Sequence, residues 1–265
     1  MAIYDCFQYF NEDHIVDLRL NILNDYVDYF VIAESTKTHQ GKSKELNFDI
    51  NNFKRFKDKI IYLVADPKEN LLKNQHEFGH SIFEQYQRNF IAEGLKKAEE
   101  DDLILISDSD EIPNLEKLFL IKKKYFAFSQ KAFCYKINLL NPAENNWIGT
   151  RGCKYKYLSS PQNLRFMKFK HYPLWRIDKI NLQIINNGGW HFSYLLDPEK
   201  ISEKIKSFSH GEDNINENTE IDNINKKLKN LKHPTKNYKL QKVVLDNSYP
   251  DYVFKNKNKF KNWII

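Results

Sequence analysis

"LILISDSDEIP", Leu103 to Pro113, begins with four apolar residues and then sets Asp108, Asp110 and Glu111 within four positions. A Leu- and Ile-rich run of this length reads as a buried strand. Its end poses a problem, because carboxylates this close repel one another. Either water or a cation has to offset the repulsion. The functional solution is a hard divalent cation, Mg2+ or Mn2+, held by one or two carboxylates and by the phosphates of a substrate. The structural solution is a solvated cluster that favours the N-terminus of a following helix. Asn114 is placed to cap such a helix through Lys124, acidic early at Glu116 and basic late at Lys122 to Lys124.

Comparable runs lie upstream. "AIYDCFQYF" (Ala2 to Phe10), "DYFVIAES" (Asp28 to Ser35) and "KIIYLVAD" (Lys59 to Asp66) have strand length and composition. Between them, "EDHIVDLRLNILND" carries Ile15, Leu18 and Ile22 at helical spacing, and "SIFEQYQRNFIAEGLKKAEE" carries Ile82, Phe83, Tyr86, Phe90 and Ile91 on one stripe. Apolar strands separated by helices predict an α/β fold with a mostly parallel central sheet flanked by helices. In such sheets ligands bind beyond the carboxyl ends of the strands, where the acidic stretch stands.

The second half is less regular. "NNGGWHFSYLLDPEK" alternates Trp190, Phe192 and Tyr194 with His191 and Ser193, as a half-buried strand does. Asp197 then caps a helix with Pro198 at its first position and Ile201, Ile205 and Phe208 on its stripe, and Gly211 lies past its end. "GEDNINENTEIDNINKK" (Gly211 to Lys227) is polar enough to read as a loop or lid.

With 265 residues, 41% of them hydrophobic, the chain can bury one sizeable core. A main domain over 1–225 and a C-terminal extension over 226–265 are the expected divisions. The 41 Lys and Arg against 35 Asp and Glu leave a charge of +6, which suits an anionic ligand. Lys226 to Lys261 holds eleven lysines and two acids, so this tail is a candidate for peripheral contact with anionic lipid. Nucleic acid is a poor fit, since no recognised binding module accompanies the charge. Cys6, Cys134 and Cys153 are odd in number and lack metal-ligand spacing, which fits reduced thiols in the cytoplasm. The first residues have no signal-peptide pattern, and no stretch approaches the ~20 apolar residues of a membrane span.

In the same order along nearly the whole chain, "YDCFQYFNEDHIVDLRLNIL", "DYFVIAESTKTHQGKSK", "QRNFI", "ISDSDEIP", "GGWHFSYL", "SFSHGE" and "YPDYVFKNKNKF" resemble glycosyltransferase family 17. The resemblance implies a GT-A type nucleotide-sugar-binding fold. It also implies transfer of a sugar, GlcNAc among the candidates, from a UDP-sugar to a glycan or glycolipid acceptor with inversion. A bacterial or viral surface glycan is the expected product. Another metal-dependent activity on a nucleotide sugar, or a catalytically silent glycan-binding protein on the same fold, are the alternatives.

Under this resemblance, Asp110 binds the metal, and Asp108 holds the donor ribose or a metal-bound water. Glu111 orients both. Glu34 and Ser35, with Lys42 in the loop that follows, seat the nucleotide. The match of "QRN" assigns donor binding to Arg88 and Asn89, although helical spacing alone puts Arg88 off the apolar stripe and Asn89 nearer its buried edge. His191 or His210 supplies a third metal ligand, with His191 preferred. The base that deprotonates the acceptor hydroxyl is sought among Glu144, Glu212 and Asp213. Trp147 and Trp190 are candidates for stacking on a sugar ring or for the core.

Overall fold

In the computed structural model, residues 1–68, 82–168, 182–207 and 213–265 are described. The runs of the first half form β1 (Ile3–Tyr9), β2 (Tyr29–Ser35), β3 (Ile60–Ala65) and β4 (Leu103–Asp108), paired parallel in the order β3-β2-β1-β4. Phe7, Val31, Ile104, Leu105 and Ile106 are fully enclosed, as expected of a parallel sheet covered on both faces. Helix α1 (Asp13–Leu23) lies on one face with Ile15, Val16, Leu18 and Leu20 buried. Helix α2 (Ile82–Phe90), a 3-10 turn over Ile91–Leu95 and α3 (Pro161–Phe166) lie on the other, around Cys6, Val31, Ile104 and Leu164. The long helix expected from Ser81 to Glu100 is therefore shorter, tightening into the 3-10 turn after Phe90.

The expected α/β fold with a central sheet flanked by helices is present; past β4 the sheet is mixed, with antiparallel pairs alongside parallel ones. Strand β8 (Trp147–Lys154) runs antiparallel to both β4 and β6 (Tyr125–Cys134). The short strands β9 (Gln183–Ile185) and β10 (Gly189–Ser193) run parallel to β6. Strand β5 (Glu111–Pro113) pairs antiparallel with β10, and β7 (Leu139–Leu140) links β6 to β11 (Gln241–Lys242). The helix expected from Asn114 to Lys124 reduces to a 3-10 segment over Leu115–Leu120, capped by Asn114 as expected. Glu111 thus belongs to a strand and not to a first helical turn.

Helix α4 (Pro198–Ser207) forms where expected, burying Ile201 and Ile205. The loop expected over Gly211–Lys227 instead contains α5 (Asn216–Thr219) and the start of α6 (Ile221–Lys229), which pack on α4; residues 211–212 lie outside the described set. Ile224, fully buried against Ile201 and Leu240, drives this order in a segment that looks uniformly polar. The 225/226 boundary falls inside α6. Beyond it, β11 joins the sheet, and Tyr249, Val253 of α7 (Asp251–Lys255) and Phe260 join the α1-side core. Among the described residues no helix is long and apolar enough to cross a membrane.

Candidate active site

The acidic stretch is held from below by a buried arginine. Arg19, fully enclosed on α1, grips Asp5 of β1 through two bonds of 2.6 Å. It also donates to the Ser107 hydroxyl and to the carbonyls of Asp108, Ser109 and Glu111 at 2.6–3.2 Å. A planar guanidinium with five donors suits this task, because it fixes several acceptors in one geometry. The turn after β4 is therefore a braced element.

The chain itself supplies the cations that offset the repulsion. Asp108 accepts from Arg88 of α2 at 3.0 Å and from Arg165 of α3 at 2.8 Å. Glu111, fully buried, receives a fork from Arg165 at 2.7 and 2.9 Å, the Trp147 indole N–H at 2.6 Å and the Asp108 backbone N–H at 3.2 Å. Asp110 faces the Lys204 ammonium of α4 at 3.2 Å and His191 Nε2 at 3.6 Å. Lys204 also meets Glu12 at 3.2 Å. Burial alone would raise the pKa of Asp110, but Lys204 and His191 hold it well below the usual carboxylate range. Burial also disfavours charge on His191, yet Asp110 outweighs it and raises the imidazole above its ordinary value. For Asp108, withdrawal from bulk water is likewise outweighed by Arg165 and Arg88.

Two glycines make the approach possible. A Cβ on Gly149 would stand 1.9 Å from Gln130 Oε1 and 3.2 Å from the Glu111 carboxyl carbon. Gly189, at φ +136°, starts β10 against Pro113, a conformation that a side chain resists. That start pairs His191 with Glu111 and lets Phe192 donate to the Asp110 carbonyl at 2.9 Å.

Of the residues singled out from sequence, Asp108, Asp110, Glu111, Arg88 and His191 converge here, with Trp147 stacked on His191 at a centroid distance of 4.7 Å. Asp108 is the most open acid, its side chain 40% exposed against 11% for Asp110. The positions of Arg88 and Asn89 are the reverse of the helical-spacing reading. Arg88 is 1% exposed, because its guanidinium turns inward to Glu84, Asp108 and Gln162, whereas Asn89 is exposed and accepts from the Gln162 backbone N–H. Glu34 is enclosed, and its acceptors are filled by Lys44, Asn47 N–H, Phe48 N–H and the Tyr62 hydroxyl. Its carboxylate fastens the loop that follows β2. Ser35 is buried and accepts from the Lys37 N–H at 3.2 Å, and Lys42 is exposed.

Glu144 is held by Asn141 at 2.9 Å, and among the described residues none of its hydrogen bonds reaches the acidic stretch. Asp213 lies by Lys236 at 3.9 Å, and its field, like that of Asp110, acts on Tyr194. Trp190 is core, donating to the Ser248 carbonyl at 2.9 Å. His210 and Glu212 lie outside the described residues. Sequence reasoning missed Arg165, Lys204 and Arg19. For the last two a signal existed, since Arg19 is four residues from Ile15 and Lys204 three from Ile201, so both fall on apolar stripes.

Among the described residues no group of three or more His, Cys, Asp or Glu side chains is set to hold a metal ion. Asp110 and His191 nonetheless present a carboxylate oxygen and an imidazole nitrogen side by side, donor types that Mn2+ accepts.

The human and rat β-1,4-mannosyl-glycoprotein 4-β-N-acetylglucosaminyltransferases are 24% identical over 230 residues, and the mouse protein is 23% identical. The match takes in 76% of this chain and 42% of theirs, so it spans about two fifths of the length of these relatives. Glucosyl-3-phosphoglycerate synthase from Mycobacterium tuberculosis, solved with Mn2+, UDP and phosphoglyceric acid, is 13% identical at a TM-score of 0.37 over 77% of this chain and 75% of its own, too distant to bear on the site. The model of glycosyltransferase family 17 matches residues 1–233, and the chain belongs to that family.

Proposed function

We propose that this protein is a metal-dependent inverting glycosyltransferase of GT-A type that moves a sugar from a UDP-sugar donor to a glycan or glycolipid acceptor. N-acetylglucosamine is the proposed sugar, supported by the names of the relatives it resembles. The observation that carries the reading is the braced acidic turn at the carboxyl end of β4, the position where open α/β sheets bind ligands. Asp110 and His191 are the side chains that would hold Mn2+ or Mg2+. Such an ion commonly takes one or two carboxylates and completes its shell with substrate phosphates and water. When bound, it supplies neutralisation of charge on the departing diphosphate.

The chain's own groups do the rest. Lys204 holds Asp110 ionised until a cation competes for it. Arg88 and Arg165 hold Asp108 at the mouth, where its exposed carboxylate is available to a ribose hydroxyl. In an inverting transfer the acceptor oxygen bonds to the anomeric carbon as the bond to the diphosphate breaks, and a base takes the hydroxyl proton. Asp213 is the proposed base, supported by its field acting together with that of Asp110 on Tyr194. We place the protein in the cytoplasm, with its lysine-rich C-terminal segment meeting an anionic membrane face, in the synthesis of a bacterial or viral surface glycan.

The experiment is donor turnover. Incubation with a panel of UDP-sugars and Mn2+ is expected to release UDP from UDP-GlcNAc and to transfer the sugar when acceptor is added. Binding of glycans with no turnover of any donor would instead support the glycan-binding alternative.

A further inference from the structure

Arg151 is a buried cation that holds no partner among the described residues. It stands in β8 opposite Ile106 of β4 and Ala127 of β6, and is 9% exposed. The charges acting on it are those of Arg165, Glu111, Asp108 and Arg88. Yet among the described residues its guanidinium has no hydrogen-bond or ion-pair partner, and its Nε is buried and unsatisfied. The terminal nitrogens of the neighbouring arginines are occupied. Arg165 is committed to Glu111, Asp108 and the Gly149 carbonyl, and Arg88 to Glu84, Asp108 and Gln162. Burial, with Arg165 alongside, pulls the Arg151 pKa down to about 9, so the site disfavours the charge it contains.

A buried cation left unpaired is costly and uncommon, and such a group is a marker of a ligand site. Other open donors share the neighbourhood. Gln162 accepts from Arg88 at 2.8 Å through its Oε1, and among the described residues its buried Nε2 and the Nε of Arg88 have no partner. Several N–H groups with no acceptor, next to carboxylates whose own cations are already assigned, call for an anion with several oxygens of its own. A tetrahedral oxyanion meets that need, and a guanidinium fork suits it.

We propose that Arg151 anchors a phosphate-binding site, with Gln162 and Arg88 beside it. The identification of the phosphate rests on the donor reading above, since a nucleotide diphosphate would reach the cluster from Asp108. A phosphate carried by the acceptor has the same chemistry and is the second source.

Calorimetry on the full chain tests this with UDP in the presence of Mn2+ and with uridine and inorganic phosphate, comparing the unaltered protein with Arg151→Gln and Arg151→Lys. Arg151→Gln is expected to weaken UDP and phosphate at least tenfold and to leave uridine unchanged, with Arg151→Lys recovering part of the loss. Loss of phosphate binding alone, with UDP unaffected, would assign the site to an acceptor phosphate. If the unaltered chain binds phosphate through Arg151 but does not bind UDP, the site stands and the donor reading falls. UDP and phosphate affinities both indifferent to Arg151→Gln, or no phosphate binding by the unaltered chain, would overturn the proposal. Should Arg151→Gln fail to fold, crystals of the unaltered chain soaked in tungstate decide: density within hydrogen-bond distance of Arg151 supports the site, and its absence there overturns it.

Discussion

The acids of the turn are neutralised by different chemistry on its two sides. Asp108 and Glu111 are clasped by guanidiniums at 2.7–3.0 Å, with Glu111 receiving a two-pronged fork and an indole N–H besides. Asp110 meets one ammonium at 3.2 Å and one imidazole at 3.6 Å. A fork fixes geometry and never releases its proton, whereas an ammonium is a point charge and an imidazole titrates near neutrality. The difference separates a rigid support, on the α2 and α3 side, from an exchangeable position on the α4 and β10 side. Neutralising partners therefore do not make an acidic cluster inert; the type of cation decides whether a ligand can take its place.

The comparison can be broken most severely at its ends. Asp110→Asn is expected to lower sugar transfer by at least about a hundredfold, with the folded chain retained because Glu12 still pairs Lys204. Steady-state rates and a melting curve on one preparation check this, and a loss of fold matching the loss of rate would erase the contrast. Glu111→Gln is expected to act in the opposite sense. Removing the charge from a fully buried pair costs about 3–5 kcal/mol, read as a lower urea midpoint, and an unshifted midpoint would deny Glu111 its supporting role.

Smaller changes sharpen the contrast. Lys204→Met removes the cation that competes at Asp110, so Mn2+ affinity measured by calorimetry is expected to rise roughly tenfold, about 1.4 kcal/mol; unchanged affinity would mean that Lys204 does not guard the position. The gentlest test is pH. The folded pKa of His191 is raised by Asp110 against the opposing effect of burial. Its contribution to stability is thus complete below the unfolded value of about 6.5 and is lost as pH rises through the higher folded value. Melting temperatures scanned upward from pH 6 should show a decline that His191→Gln lacks, while the arginine end stays charged throughout.

Much of the parallel half was legible because its strands are buried on both faces and appear as unbroken apolar runs. Strand β4 ends where "LILIS" meets Asp108. In the other half, several strands of two to five residues, such as β7 and β10, were hidden, because their pairing depends on partners far along the chain. The acids of the site were readable as a motif. Their cations were not, since Arg165 is 54 residues from Glu111 and Lys204 is 94 residues from Asp110. Arg88 illustrates the limit of periodicity, which places a Cα and not the end of a long side chain. Its guanidinium turns under α3, and nothing in "QYQRNF" announces that Gln162 will be there to receive it.

Binding of UDP with and without Mn2+, measured by calorimetry on the unaltered chain and on Asp110→Asn, tests the central claim most directly. The account predicts that the unaltered chain binds UDP tightly only when the metal is present, and that Asp110→Asn removes the metal-dependent part. UDP affinity that is the same with and without Mn2+, or that survives the loss of the Asp110 charge, would contradict it.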